Sequence, residues 1–219
     1  MEKAVTSSKI ILCIGNFHTI IVWTEKERKL FMRVIAGKAR RLLLKTIDGL
    51  DTRPTTDRIK ETLFNILQTQ VPGSRFLDLF AGSGGIGIEA LSRGARAAVF
   101  VEQNQKAADC IRENLRNTRL EEDAAVMVCD AVTALRRMEG KQEPFDLVFM
   151  DPPYNQGLEL AILEYLRHSA LIGPDTQIIV EASLETETAE MEDLGYTVDR
   201  VKTYKTNQHI FLTKGDGHS

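Results

Sequence analysis

The chain has 219 residues, 43% of them apolar and 27% charged, and a net charge of −3. That length holds one full α/β domain with a small appendage, and the composition is that of a folded globular protein, not a disordered one. The three cysteines, Cys13, Cys110 and Cys129, are far apart and form no CxxC pair, which argues against a disulfide framework and a zinc site and fits a reducing cytoplasm.

Charge is unevenly spread. From Glu25 to Lys60 eleven Lys/Arg stand against five Asp/Glu, whereas residues 61–219 carry 15 basic and 25 acidic side chains. A basic segment ahead of an acidic body points to a polyanion bound on one side, with a merely solvated basic face as the bland alternative. Residues 1–31 form an N-terminal extension of a different character. Ile10 to Trp23 is apolar but interrupted by Asn16, His18 and Thr19, short for a membrane span, and followed by no small-residue cleavage site, so no membrane association is expected. Met32 opens a pattern like a natural start, and translation is expected to begin there; an additional strand or tail is the alternative.

Residues 32–73 read as a small basic segment. Arg33 to Ala36, a turn at Gly37-Lys38, and Arg40 to Leu44 predict a β-hairpin. Thr52-Arg53-Pro54-Thr55 marks a break. A helix follows, with Ile59, Leu63, Ile66 and Leu67 on one face, a cap from Thr55, Thr56 or Asp57, and a stop at Val71-Pro72-Gly73-Ser74. From residue 74 to 214 strand and helix alternate. Strands are predicted at 75–80, 97–102, 124–130, 145–151 and 176–182, and helices at 84–93, 104–117, 131–138, 157–168 and 186–194. That spacing implies a parallel sheet with right-handed crossovers. Tyr196 to Tyr204 and Gln208 to Lys214 read as a closing antiparallel hairpin, and 215–219 as a tail.

Two motifs carry the chemistry. Gly82-Ser83-Gly84-Gly85-Ile86-Gly87 follows a strand and opens a helix, and Glu102 ends the next strand. Glycines there permit a tight turn and close backbone approach, and the carboxylate can accept hydrogen bonds from ribose hydroxyls. This much fits NAD, FAD or S-adenosylmethionine. Asp78, just before the loop, would repel a pyrophosphate but can pair with an ammonium group, which favours S-adenosylmethionine. Asp130, at the end of the third strand, can take an adenine amine or serve only as a helix cap.

The second motif is Asp151-Pro152-Pro153-Tyr154, after the apolar run Phe145 to Met150. An exocyclic base amine is a poor nucleophile because its lone pair is delocalised into the ring. The Asp151 carboxylate and the Pro152 carbonyl can accept its two hydrogens, draw the nitrogen toward tetrahedral geometry and free that lone pair. The prolines hold the carbonyl outward, and Tyr154 can stack on the base. Asp151 can also receive the proton, and no metal is required.

Asp151 to Tyr154 resembles the (D/N)PPY signature of methyltransferases acting on base amines, and Asp78 to Gly87 resembles their cofactor loop. With Met32 to Arg41 and Arg53 to Arg58, the chain from about Met32 to Lys214 resembles the bacterial RsmD family, which methylates a guanine N2 amine in 16S ribosomal RNA. The resemblance implies an α/β, Rossmann-like, seven-stranded class I S-adenosylmethionine-dependent methyltransferase fold with a small basic RNA-contacting extension. It implies cofactor contacts at Asp78, Phe80, Ala81, Gly82, Ser83, Gly84, Glu102, Asp130 and Ala131, and a base pocket at Asp151 to Tyr154. It implies RNA contacts from Arg33, Lys38, Arg40, Arg41, Arg53, Thr55 and Arg58, with the Arg53-Pro54-Thr55 element at the substrate entrance. The partner implied is the small ribosomal subunit or its assembly intermediate, met by a cytoplasmic monomer with no obligate protein partner. Lys202 to Lys205 departs from the glycine-containing turn expected there, and His18, His168, His209 and His218 show no clustering in sequence. Rival readings are a DNA adenine-N6 or cytosine-N4 methyltransferase, a non-catalytic RNA-binding assembly factor and a Rossmann oxidoreductase.

Overall fold

A computed structural model describes residues 8–14, 17–23, 31–47, 57–154 and 156–215. Apolar runs become the five parallel strands of a seven-stranded sheet, because a parallel strand covered on both faces is apolar almost throughout. These are β5 (Arg75–Asp78), β6 (Ala97–Glu102), β7 (Ala124–Val128), β8 (Phe145–Met150) and β9 (Ile172–Ala182). The hairpin of β10 (Tyr196–Thr203) and β11 (Gln208–Lys214) completes the order β10-β11-β9-β8-β5-β6-β7. Pairing is parallel from β9 through β7 and antiparallel for β11 with β9 and with β10. Within this sheet the path starts at β5, winds outward to β7, then returns to β8 on the other side. The crevice where that reversal occurs, beyond the carboxyl ends of β5 and β8, is where such sheets hold ligands.

Alternation along the strands separates two cores. Phe76, Phe100, Phe149, Ile179 and Phe211 pack on one face with Leu63, Phe64, Ile88 and Ile111. Those four come from α1 (Asp57–Ile66), α2 (Gly85–Ser92) and α3 (Gln105–Thr118). Leu77, Val101, Val148, Met150 and Val180 pack on the other with Leu135, Leu163 and Met191. These belong to α4 (Ala131–Met138), α5 (Leu158–Arg167) and α6 (Ala189–Asp193). Among the described residues no helix is long and apolar enough to cross a membrane.

Three expectations are corrected. Strand β9 starts at Ile172, not 176: Gly173-Pro174-Asp175 looks like a turn but lies in an irregular stretch of the strand. There the register against β8 shifts, and Thr176 Oγ1 donates to the Phe145 carbonyl at 2.7 Å. Helix α6 is only Ala189–Asp193, because the preceding residues form a polar loop whose Thr186 carbonyl is bonded by Gln208. At the N-terminal side, β1 (Ser8–Ile14) and β2 (Phe17–Trp23) form their own antiparallel pair.

The third correction concerns the basic hairpin. Its strands are β3 (Phe31–Arg33) and β4 (Leu43–Lys45), with Arg33 opposite Leu43, and residues 34–42 form the connection. Much of the backbone expected to pair as a ladder bonds instead to α2. Ile35 N and Ala36 N donate to the Glu89 carboxylate at 2.8 and 3.0 Å, and Lys38 N donates to the Ser92 carbonyl at 2.8 Å. Gly37 sits at φ +81°, and a Cβ there would lie 1.8 Å from the Ser92 oxygen. Gly37→Ala is therefore expected to lower stability by at least about 3 kcal/mol, from positive-φ strain and overlap with fixed backbone. Urea unfolding checks this; an unchanged midpoint would show that the loop can move off α2 freely.

Helix α1 turns the expected Leu63, Ile66 and Leu67 toward the core. Leu63, Phe64 and Leu67 are buried as an apolar stripe, but Lys60 is buried with them, fully. Its Nζ donates to the Arg33 carbonyl at 2.6 Å and lies 3.5 Å from the buried Glu89 carboxylate. Burial holds the Lys60 ammonium below its ordinary pKa, with Glu89 opposing that shift. No sequence periodicity announces a buried lysine; it requires Glu89, which lies on another helix.

Candidate active site

A cleft of about 840 Å³ opens at the switch point between β5 and β8. Phe80 and Gly82 lie on its wall after β5, Glu102 at the end of β6, Asp130 and Ala131 after β7, Asp151 to Tyr154 after β8, and Glu181 near the end of β9. Strands of different sequence position thus deliver acidic side chains to one opening.

The glycine loop is built by its own bonds. Ala81 N donates to the Val101 carbonyl at 2.9 Å, and Gly84 N to the Ala81 carbonyl at 2.7 Å. Asn114 Nδ2 donates to the Ser83 carbonyl at 2.9 Å. Ala81, Ser83 and Gly84 thus shape the turn, while Phe80 and Gly82 face the cleft. Gly87 lets α2 lie against the sheet, since a Cβ there would come 2.3 Å from the Phe100 ring.

Glu102 is already engaged. One carboxylate oxygen accepts from Gly82 N at 2.9 Å, the other from Asn104 N at 2.7 Å. It therefore ties the loop to the start of α3 and keeps further lone pairs for a hydroxyl. Asp130 caps α4, accepting from Thr133 N at 2.8 Å and Thr133 Oγ1 at 2.7 Å. Those bonds hold its carboxyl below the usual carboxylate range while it remains exposed at the cleft.

Asp78 is buried at the end of β5. One oxygen accepts from Gly87 N at 3.1 Å, and the other, Oδ1, has no hydrogen-bond partner. Burial pushes its carboxyl up to about 7. Asp151 is pushed up to about 8 by burial first, then by the Glu181 and Asp78 charges. Two carboxylates held at a cost in their charged form make a site that favours a cation. A ligand carrying an ammonium and a sulfonium fits that donor set, the orphaned Asp78 oxygen above all. Pro152 is buried, Pro153 exposed and Tyr154 half-buried.

The basic residues divide. Arg33 pairs with Asp57 at 2.6 Å and Lys38 with Asp123 at 3.2 Å, both on the surface, where such pairs exchange readily. Arg40, Arg41 and Arg58 are exposed. Arg53 and Thr55 lie outside the described residues, as do Thr52, Pro54 and Thr56.

Sequence reasoning passed over Glu181 and its companions. Asn207 Nδ2 bonds Glu181 Oε1 at 2.5 Å, and His209 Nε2 lies 3.2 Å from Oε2. His209, which no sequence cluster singled out, is fully buried, with Tyr204 Oη 3.2 Å from its Nδ1. The β10–β11 turn is closed by Tyr204 N on the Asn207 carbonyl at 2.8 Å. Its Asn207 side chain points to Glu181 where a glycine was expected nearby. The available signal was Glu181 itself, an acid near the end of an apolar strand, like Asp78 and Glu102. Asn207 and His209 had no such signal, because β11 enters the sheet out of sequence order.

The comparisons with known proteins agree with this geometry. A family model described as conserved hypothetical protein 95 matches residues 32–212. The chain is 40% identical over 186 residues to YlbH of Bacillus subtilis, covering 84% of this chain and 100% of that protein. It is 35% identical over 154 residues to ribosomal RNA small subunit methyltransferase D of Escherichia coli K12, covering 70% of this chain and 76% of that one. The solved structure of yhhF from Escherichia coli superposes with a TM-score of 0.72 at 31% identity, covering 85% of this chain and 99% of that one. With most of its length matched, the chain belongs to this family, the RsmD family of ribosomal RNA methyltransferases.

Proposed function

We propose that this chain transfers a methyl group from S-adenosylmethionine to the exocyclic N2 amine of a guanine in 16S ribosomal RNA. Family membership makes it an S-adenosylmethionine-dependent methyltransferase of ribosomal RNA. The observation that carries the amine chemistry is the Asp151-Pro152 pair at the switch-point cleft, close enough to buried Asp78 to feel its charge.

Asp78 and the Phe80 to Gly84 loop would hold the cofactor's charged tail, Glu102 its ribose, and Asp130 with Ala131 its adenine. When bound, S-adenosylmethionine supplies an electrophilic methyl on a sulfonium. Asp151 and the Pro152 carbonyl accept the two amine hydrogens, which localises the nitrogen lone pair. Tyr154 stacks on the base, and Asp151 takes up the proton released as the N–C bond forms. The target guanine must leave its helix or loop to enter.

Residues 32–73 serve as the RNA-contacting segment and 74–214 as the catalytic domain, acting as a cytoplasmic monomer on the small subunit or its assembly intermediate. Docking uses phosphates and RNA shape, through Arg33, Lys38, Arg40, Arg41, Arg53, Thr55 and Arg58. Removing Arg40 and Arg41 together is expected to reduce the slope of log affinity against log salt by about 1.5, because each lost phosphate contact removes about 0.7–0.9 from that slope. Titrations of small subunits between about 50 and 200 mM salt check this. An unchanged slope would take both arginines off the RNA.

The test of the function is tritiated methyl transfer to small subunits from a strain lacking this gene. Label recovered as N2-methylguanine in 16S RNA is the expected result. Label in adenine, in cytosine or in DNA alone would overturn the guanine assignment.

A further inference from the structure

Asp151 follows β8, and Glu181 lies near the end of the neighbouring parallel strand β9. Met150 of β8 pairs with Val180 of β9, so Asp151 and Glu181 come one residue later on each strand, and both line the cleft. The same register continues into β11, where His209 is the partner of Glu181. Because side chains alternate, Phe149 and Asp151, Ile179 and Glu181, and Phe211 and His209 share one face of the sheet. The edge-on contact of the Phe149 and His209 rings, 6.0 Å between centroids, fits that arrangement.

Glu181 is nearly buried, an unusual place for a carboxylate without a function or a cation. Its position is set from behind. Asn207 Nδ2 donates to Oε1, and a neutral His209 satisfies both of its contacts in one tautomer. In that tautomer Nε2–H donates to Glu181 while Nδ1 accepts from the Tyr204 hydroxyl. An ionised carboxylate is acceptor-only, and each oxygen keeps a lone pair beyond the donor it already has. Glu181 therefore stands beside Asp151 as a second, rigidly held acceptor.

The base edges differ in what they would present there. In guanine the N2 amine is flanked by N1–H, a donor. In adenine the N6 amine is flanked by N1, and in cytosine the N4 amine by N3, both bare lone pairs. With the amine at Asp151, a neighbouring carboxylate is satisfied by guanine and opposed by a lone pair in the other two. We propose that Glu181 is the specificity-determining residue of this site, accepting the N1–H of the guanine whose N2 amine is held at Asp151. This rests on the guanine-N2 reading above and supplies its physical cause. Asn207, His209 and Tyr204 are then positioning residues that act through Glu181.

The test compares two bases at the methylated nucleotide, guanine and 2-aminopurine, in otherwise identical reconstituted small subunits. 2-Aminopurine keeps the 2-amine but has a lone pair at N1. The wild-type protein is expected to prefer guanine by at least about 100-fold in kcat/KM, as sites built to pair a donor do. Glu181→Gln is expected to bring that ratio within about tenfold, because its amide can turn an N–H toward the bare N1. Equal use of both bases by the wild-type protein would overturn the proposal, as would an unchanged ratio in Glu181→Gln. So would loss of activity on both bases with cofactor affinity intact, since that outcome makes Glu181 a requirement of transfer itself. Should Glu181→Gln not fold, Asn207→Ala keeps the carboxylate and removes one anchor; a falling ratio supports the proposal, and an unchanged one overturns it. Guanine subunits that take no label from the wild-type protein would instead sink the guanine-N2 reading, and this proposal with it.

Discussion

Asp151→Ala is expected to lower methyl transfer to small subunits by about 10³-fold in kcat/KM, the combined scale of a lost transition-state acceptor and a lost proton acceptor. Asp151→Asn keeps one carbonyl acceptor but cannot take the proton, so it should fall between the two. Stability separates this loss from misfolding. Burial raises the folded pKa of Asp151 to about 8, above its unfolded value, so its contribution to stability is fully present in acid and is lost as pH rises through about 8. Alanine lacks that penalty, so the variant should be more stable than the wild type near neutrality, with its advantage growing as pH rises from the ordinary carboxyl value of 3.8 to about 8 and levelling off above. Thermal melts across pH check the sign. Activity should follow the same group from the other side. The acceptor role needs the carboxylate, so kcat/KM should rise with pH toward about 8. A bound cation beside Asp151 favours its ionised form and moves the corresponding limb of kcat to lower pH. A pH profile of Asp151→Ala with the same acid limb as the wild type would remove Asp151 from the proton path.

The second large effect lies away from the chemistry. Glu89→Ala is expected to cost about 3–5 kcal/mol of folding stability, because it strands a buried cation. Glu89 is fully buried, and its two oxygens take Ile35 N, Ala36 N and Arg93 Nε at 2.8, 3.0 and 2.7 Å, beside the Lys60 ammonium. Removing it leaves Lys60 enclosed and two backbone N–H groups bare. Lys60 would then deprotonate more readily in the folded state than its ordinary value of 10.5 allows. The unfolded chain binds the extra proton, so the variant should gain stability as pH rises from neutrality toward that value. Denaturant titrations at two pH values check both claims. Lys60→Met combined with Glu89→Gln should cost less than Glu89→Ala alone, since no unpaired charge remains. A cost under about 1 kcal/mol for Glu89→Ala would show that water reaches Lys60. The functional consequence follows from Ile35 and Ala36: the loop carrying Arg40 and Arg41 is fastened to α2 through this carboxylate. Subunit binding should weaken in the variant before cofactor binding does.

The strand–helix alternation, the apolar stripe of α1 and the two motifs were legible because they depend on local pattern. Strands β6 and β11 and helix α4 fall on their expected bounds, since an apolar run or stripe of the right period has one low-energy arrangement against a sheet. Asp78, Glu102, Asp130 and Asp151 were legible for the same reason: parallel strands share one carboxyl end, so an acid closing each strand must arrive near the others. Elsewhere sequence-distant atoms decided the outcome. The 34–42 segment forms a loop because the Glu89 carboxylate and the Ser92 carbonyl claim its N–H groups, and neither is visible from residue 37. Lys60 is buried because a counter-charge on α2 waits for it. Glu181, Asn207 and His209 meet because β11 inserts between β10 and β9, an order set by sheet pairing. Local periodicity specifies which face of an element seeks apolar contact. Which polar groups meet across elements is fixed only when buried donors and acceptors find partners, and in a folded chain those partners can lie at any sequence distance.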